Sequence, residues 1–133
     1  MTITNALTRR TFLLGTVLIV ATPARADYAE LTALEAAERL AADPTIVVVD
    51  IRTRREFNSG HIAGAVNINF YEDDFFAKLT ALDPSKTYLV HCAVGGRSRV
   101  AERAFASAGL QNVLHMTRGI EDWRRQGLPL IRP

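Results

Sequence analysis

Cysteine is almost missing: the chain of 133 residues holds one, Cys92. A single thiol excludes a disulfide framework and any metal or cluster site built from several cysteines. Glycine and proline number only eight and five, which excludes collagen-like and low-complexity chains. Aromatic residues make up 8% and charged residues 23%, against 48% hydrophobic, a balance that excludes a disordered chain. The length leaves no room for several domains and suffices for one core. Acidic residues are absent from positions 1–26, which carry Arg9, Arg10 and Arg25. The formal charge of +2 and the pI near 9.0 arise there. Residues 27–133 hold 13 Lys and Arg against 14 Asp and Glu, a formal charge of −1. The basic balance therefore points to no nucleic-acid partner and no acidic membrane surface. The longest apolar run, Phe12 to Ala21, is ten residues, half of the roughly 20 that a membrane span needs.

Residues 1–26 read as a cleaved secretory leader: a charged Thr8-Arg9-Arg10-Thr11-Phe12-Leu13, the apolar run, and a small-x-small Ala24-Arg25-Ala26 before Asp27. The paired arginines resemble a bacterial twin-arginine signal, and Arg25 suits that route better than general secretion. No Cys follows the leader, so a lipoprotein anchor is excluded. The expected destination is the periplasm, or the exterior of a cell without an outer membrane. The body of the protein is then residues 27–133. In an oxidising compartment a lone thiol is either buried and inert or kept for chemistry.

The body alternates strand and helix signals. Tyr28–Leu31 reads as an extended entry, and Thr32-Ala33-Leu34-Glu35 has capping-box spacing for a helix to about Ala42. Ile46–Val49 is an unbroken β-branched run, the mark of a central strand buried on both faces. A short helix is expected over Arg54–Ser59, stopped by Gly60, then a strand over Ala65–Ile68. Phe75, Phe76, Leu79 and Leu82 predict one apolar stripe on a helix over Tyr71–Leu82. Asp83-Pro84-Ser85-Lys86 reads as a turn before a strand over Tyr88–His91. A helix from Ser98 should bury Val100, Ala101, Ala104, Phe105 and Ala108, with Gly109 as its stop. Val113–Met116 and Ile120–Gln126 give a last strand and helix. The pattern is α/β: one domain with a central parallel sheet of four to five strands and helices on both faces.

Ligands of such sheets bind beyond the carboxyl ends of the strands, where Cys92 falls. It leads the loop Cys92-Ala93-Val94-Gly95-Gly96-Arg97, with a helix start at Ser98. Two glycines let successive backbone N–H groups converge on one point. The helix N-terminus adds positive potential, and Arg97 offers a guanidinium fork to an anion. Together they favour a Cys92 thiolate, a nucleophile inside an anion cradle. Taken alone, a single Cys at a strand end is more often a small buried hydrophobe; Gly95-Gly96, Arg97 and the helix start turn the reading toward chemistry.

These residues resemble a single-domain rhodanese, a sulfurtransferase. The resemblance rests on Cys92-x-x-Gly95-x-Arg97-Ser98, on Asp50-Ile51-Arg52, Glu56-Phe57 and Gly60-His61-Ile62-Ala63-Gly64-Ala65, and on Gly119, Trp123, Gly127 and Pro129. Arg118-Gly119 departs from the family's usual Gly-Gly; Arg118 either adds charge for an anionic substrate or is solvated. Related phosphatases and arsenate reductases place five residues between Cys and Arg, whereas this chain places four. In family terms the shorter loop suits a sulfur atom and is too tight for a phosphate. The resemblance implies that Cys92 takes a sulfane sulfur from a donor such as thiosulfate or a persulfide. Cys92 would hold it as a persulfide and yield it to a thiol or to cyanide, without metal or organic cofactor. A partner-fed sulfur carrier with little free turnover is the alternative, and a thiol-redox or oxyanion-reducing protein a third reading.

Asp50, Arg52 and Glu56 read as a polar network bracing the loops, and Ser98 as a helix cap or a partner of Cys92. His61 reads as a turn residue. His91 neighbours Cys92 along a strand and so points to the other face. His115 lies on a strand and carries no signal of its own. No two histidines have metal-ligand spacing. Trp123 reads as a core anchor.

Overall fold

The computed structural model describes residues 18–19 and 27–133. The leader expected over residues 1–26 otherwise lies outside the described residues. Five strands alternate with five helices: β1 (Asp27–Leu31), α1 (Ala33–Ala42), β2 (Val47–Asp50), α2 (Arg54–Asn58), β3 (Val66–Asn67), α3 (Phe75–Thr80), β4 (Tyr88–His91), α4 (Gly96–Ser107), β5 (Asn112–Met116) and α5 (Gly119–Arg125). All strands are parallel, in the order β1-β5-β4-β2-β3. The α/β expectation holds.

Local chemistry explains the borders. The Thr32 hydroxyl accepts from the Glu35 N–H, and the Glu35 carboxylate accepts from the Thr32 N–H, closing the capping box of α1. The inner strands β2 and β4 are largely apolar because both of their faces are covered. Side-chain alternation divides the interior into two cores. Val49, Ile51, Tyr88, Val90, Cys92 and Val113 face Phe75 and Leu79 of α3 and Ala101 and Phe105 of α4. Val48, Leu89, Leu114 and Met116 face Ala33 and Ala36 of α1 and Ile120 and Trp123 of α5.

Two expectations about helices fail. The helix expected from Tyr71 begins at Phe75, because Asn69 bends the chain first. The Asn69 side chain accepts from the Tyr71 N–H at 3.1 Å and its carbonyl from the Glu72 N–H at 3.2 Å. With that start, Phe75 and Leu79 are buried and Phe76 is 46% exposed. Helix α4 starts at Gly96, two residues earlier than expected, and Val100 is 68% exposed while Ala101 and Phe105 are buried. Among the described residues no helix is long and apolar enough to cross a membrane.

Candidate active site

Cys92 follows the last residue of β4 at the carboxyl edge of the sheet, and the loop from Cys92 leads into α4. Gly95 caps α4 in a left-handed conformation, φ +102°; a Cβ there would lie 1.8 Å from the Thr117 carbonyl oxygen. Gly119, φ +61°, closes on the same loop from the other side; a Cβ there would lie 2.4 Å from the Ala93 carbonyl oxygen. The first N–H groups of a helix lack partners inside it. In α5, Ile120 and Glu121 donate theirs to the carbonyls of Cys92 and Ala93 at 3.0 and 3.1 Å. The loop carbonyls are thereby turned toward α5.

The sulfur occupies the inside of the curve. The Gly95 N–H donates to Cys92 Sγ at 3.1 Å, and Ser98 Oγ lies 3.4 Å away. Burial raises the thiol pKa, but hydrogen bonds from the Ser98 hydroxyl and from the N–H groups of Ser98, Gly95 and Val94 outweigh it. The net effect holds Cys92 below the ordinary thiol range. Ala93 is half-buried, Val94 and Gly96 are exposed, and Cys92 itself is buried.

Arg97 does not reach toward the sulfur with an open fork. Its guanidinium makes a bidentate pair with Glu56, both contacts at 2.8 Å, and lies 5.7 Å from the Tyr71 ring centroid. The Arg97 pair and the Thr53 hydrogen bonds outweigh burial and hold Glu56 down at about 2. Glu56 also closes a capping box with Thr53 at the start of α2. The expected network of Asp50, Arg52 and Glu56 is therefore two units. Asp50 and Arg52 form a buried ion pair at 2.7 Å, and Arg52 donates onward to the carbonyls of Glu56 and Gly60 at 3.1 and 2.8 Å. The Glu56 carboxylate belongs to Arg97.

Arg118 is exposed, with no ion-pair partner among the described residues. His91 lies on the face opposite Cys92, its Nδ1 3.0 Å from the Cys92 carbonyl and its Nε2 3.7 Å from Asp50. His61 stacks on Phe57 with centroids 3.9 Å apart. Trp123 is buried and donates to the Pro129 carbonyl. No group of three or more His, Cys, Asp or Glu side chains among the described residues is placed to hold a metal ion.

Residues 32–126 match the family model of the rhodanese-like domain. The chain belongs to the rhodanese family. A sulfurtransferase of Allochromatium vinosum is 28% identical over 104 residues, which is 78% of this chain and 95% of that protein. Thiosulfate sulfurtransferase 16 of Arabidopsis thaliana is 31% identical over 91 residues, 61% of this chain and 76% of that one. The crystal structure of a rhodanese-related protein from Thermoplasma volcanium superposes with a TM-score of 0.70 at 29% identity, covering 80% of this chain and all of that one.

Sequence reasoning missed two residues of this rhodanese site. Thr53 carries the same Thr-x-x-Glu spacing as Thr32 and was legible by that rule. His115 was legible only by strand parity. It shares a face with Val113, as Cys92 does with Val90, and its Nε2 lies 2.7 Å from Ser98 Oγ.

Proposed function

We propose that this rhodanese domain is a sulfurtransferase that carries sulfane sulfur on Cys92. The observation that supports it is the focus of hydrogen-bond donors on a buried sulfur whose pKa is lowered. The cradle is made of N–H groups, because Arg97 is held by Glu56. Its curve, with four residues between Cys92 and Arg97, suits one added sulfur atom.

The Cys92 thiolate attacks the outer sulfur of thiosulfate. An S–S bond forms to Sγ, the bond to the sulfonate sulfur breaks, and sulfite departs with the electron pair. The persulfide's terminal sulfur then takes its negative charge among the loop N–H groups. A thiolate or cyanide attacks that sulfur, and the pair returns to Cys92. The Ala93 and Val94 side chains give no charged contact that would select among donors, so the donor class is any small sulfane sulfur or protein persulfide. The leader read at residues 1–26 extends the proposal to place, the periplasm, checked by fractionation of cells expressing the full chain.

The test is intact mass after incubation with thiosulfate, before and after cyanide. Gain of one sulfur atom that Cys92→Ser abolishes and cyanide removes is the expected result. No gain in the folded protein overturns thiosulfate as donor. Loading from a protein persulfide alone then identifies a partner-fed carrier.

A further inference from the structure

Strands β4 and β5 are neighbours, with Val90 opposite His115. Alternation places Cys92, two residues past Val90, on the same face as His115, and α4 covers that face. Ser98 of α4 stands between them. Its Oγ is 2.7 Å from His115 Nε2, 3.2 Å from the Gly95 carbonyl oxygen and 3.4 Å from Cys92 Sγ, so of its two acceptors His115 is the nearer for its one proton. All three residues are 1% exposed or less. Tyr28 of β1 braces the pair: its hydroxyl donates to the Ser98 carbonyl at 2.6 Å, and its ring centroid is 5.0 Å from that of His115. His91 cannot serve in its place, since it lies across the sheet with its Nδ1 on the Cys92 carbonyl.

We propose that His115 accepts the Cys92 proton through the Ser98 hydroxyl, making Cys92–Ser98–His115 a buried proton relay. The proposal rests on the reading of Cys92 as the nucleophile. The thiol proton passes to Ser98 Oγ as the hydroxyl proton passes to His115 Nε2. The products are a thiolate and an imidazolium, each hydrogen-bonded to Ser98. No proton enters or leaves the protein in that step. When sulfur leaves the persulfide and the electron pair returns to Sγ, the same donor chain receives the thiolate. His115 touches neither sulfur nor substrate, so it is a positioning residue that acts through Ser98.

The surroundings of His115 suit a base that rests neutral. Facing it are Tyr28 and Glu30 of β1 and Ser98 and Arg99 of α4, while His91 of β4 acts on it from across the sheet. Burial and the Arg99 guanidinium push the imidazole pKa down, Glu30 pushes it up, and His91 pushes it down again, with a net lowering. The Glu30–Arg99 ion pair, at 3.1 Å, sets these two charges against one another. The neutral ring offers Nε2 as acceptor to the Ser98 hydroxyl.

The test is the pH dependence of Cys92 alkylation by iodoacetamide in the full chain, compared among wild type, His115→Gln, Ser98→Ala and the double variant. His115→Gln should move the alkylation midpoint upward and slow the reaction about tenfold at neutral pH, the effect of one unit of pKa. The double variant should match Ser98→Ala, because the two residues act as one chain. A wild-type profile in folded His115→Gln, or an equal further loss on the Ser98→Ala background, overturns the relay. Nitrogen NMR of the His115 ring needs no substitution at that position. Its titration midpoint should fall in Cys92→Ala, which lacks the thiolate, and an unchanged midpoint overturns the proposal. Sulfur uptake is scored separately: a relay-like titration without uptake supports the relay and overturns the sulfur-transfer reading alone.

Discussion

At the scale of single residues, Glu56 serves two partners with one carboxylate. Its Oε2 accepts from the Thr53 N–H and hydroxyl and from Arg97, and its Oε1 accepts the second Arg97 contact. Its pKa falls from 4.5 to about 2 on folding. A lowered pKa means a contribution that is complete above about 4.5 and is lost as pH falls through about 2. The Glu56 side chain is 35% exposed, so solvent screening keeps the charge contribution at about 1 kcal/mol. Glu56→Gln keeps an acceptor for the Thr53 N–H and removes the charge. It should cost that amount at neutral pH and nothing below about pH 2, as read by urea unfolding across the acid range.

At the scale of elements, the loop after β4 and the turn before α5 are locked together by two glycines. Gly119 needs both a positive φ and a missing Cβ, since its near neighbours are backbone atoms of Cys92 and Ala93 that cannot rotate away. Gly119→Ala should destabilise by about 3 kcal/mol through strain and overlap. It should also slow Cys92 alkylation, because the displaced loop carries the donors to sulfur. Gly96 is the control. It is exposed, has no positive φ, and a Cβ there meets nothing within 4 Å. Gly96→Ala should stay within about 0.5 kcal/mol of wild type in the same unfolding experiment. The same contrast explains why Arg is tolerated beside Gly119. Arg118 has φ −100° and an exposed side chain, so the position before Gly119 makes no demand for glycine.

At the scale of the whole molecule, one five-stranded sheet carries two separate apolar cores. Leu89 is buried against α1 and α5, and Phe105 is buried on the opposite face. Both faces depend on the same strands, so neither core persists without the other. Leu89→Ala and Phe105→Ala should each cost about 2–5 kcal/mol. Each should lower a single unfolding transition without splitting it. The double variant should be close to the sum, because the two side chains lie in different cores. Calorimetry and circular dichroism that disagree in midpoint would show that the cores unfold separately.

What the sequence determined by itself was local or periodic. The β-branched run before Asp50, the capping box at Thr32, the turn at Asp83 and the Cys92 loop each draw on neighbours a few residues away. Hydrogen bonds at that range and the periods of strand and helix survive in a linear reading. The early bend at Asn69 shows the limit of periodicity, which marks the apolar stripe but not where the helix begins. Tertiary structure alone decided that Glu56 holds Arg97, 41 residues away, and that Ser98 meets His115, 17 residues away. Both contacts need the strand order, with β4 between β2 and β5. Strand order is set by how two cores close on one sheet, and no spacing along the chain records which neighbour each strand takes.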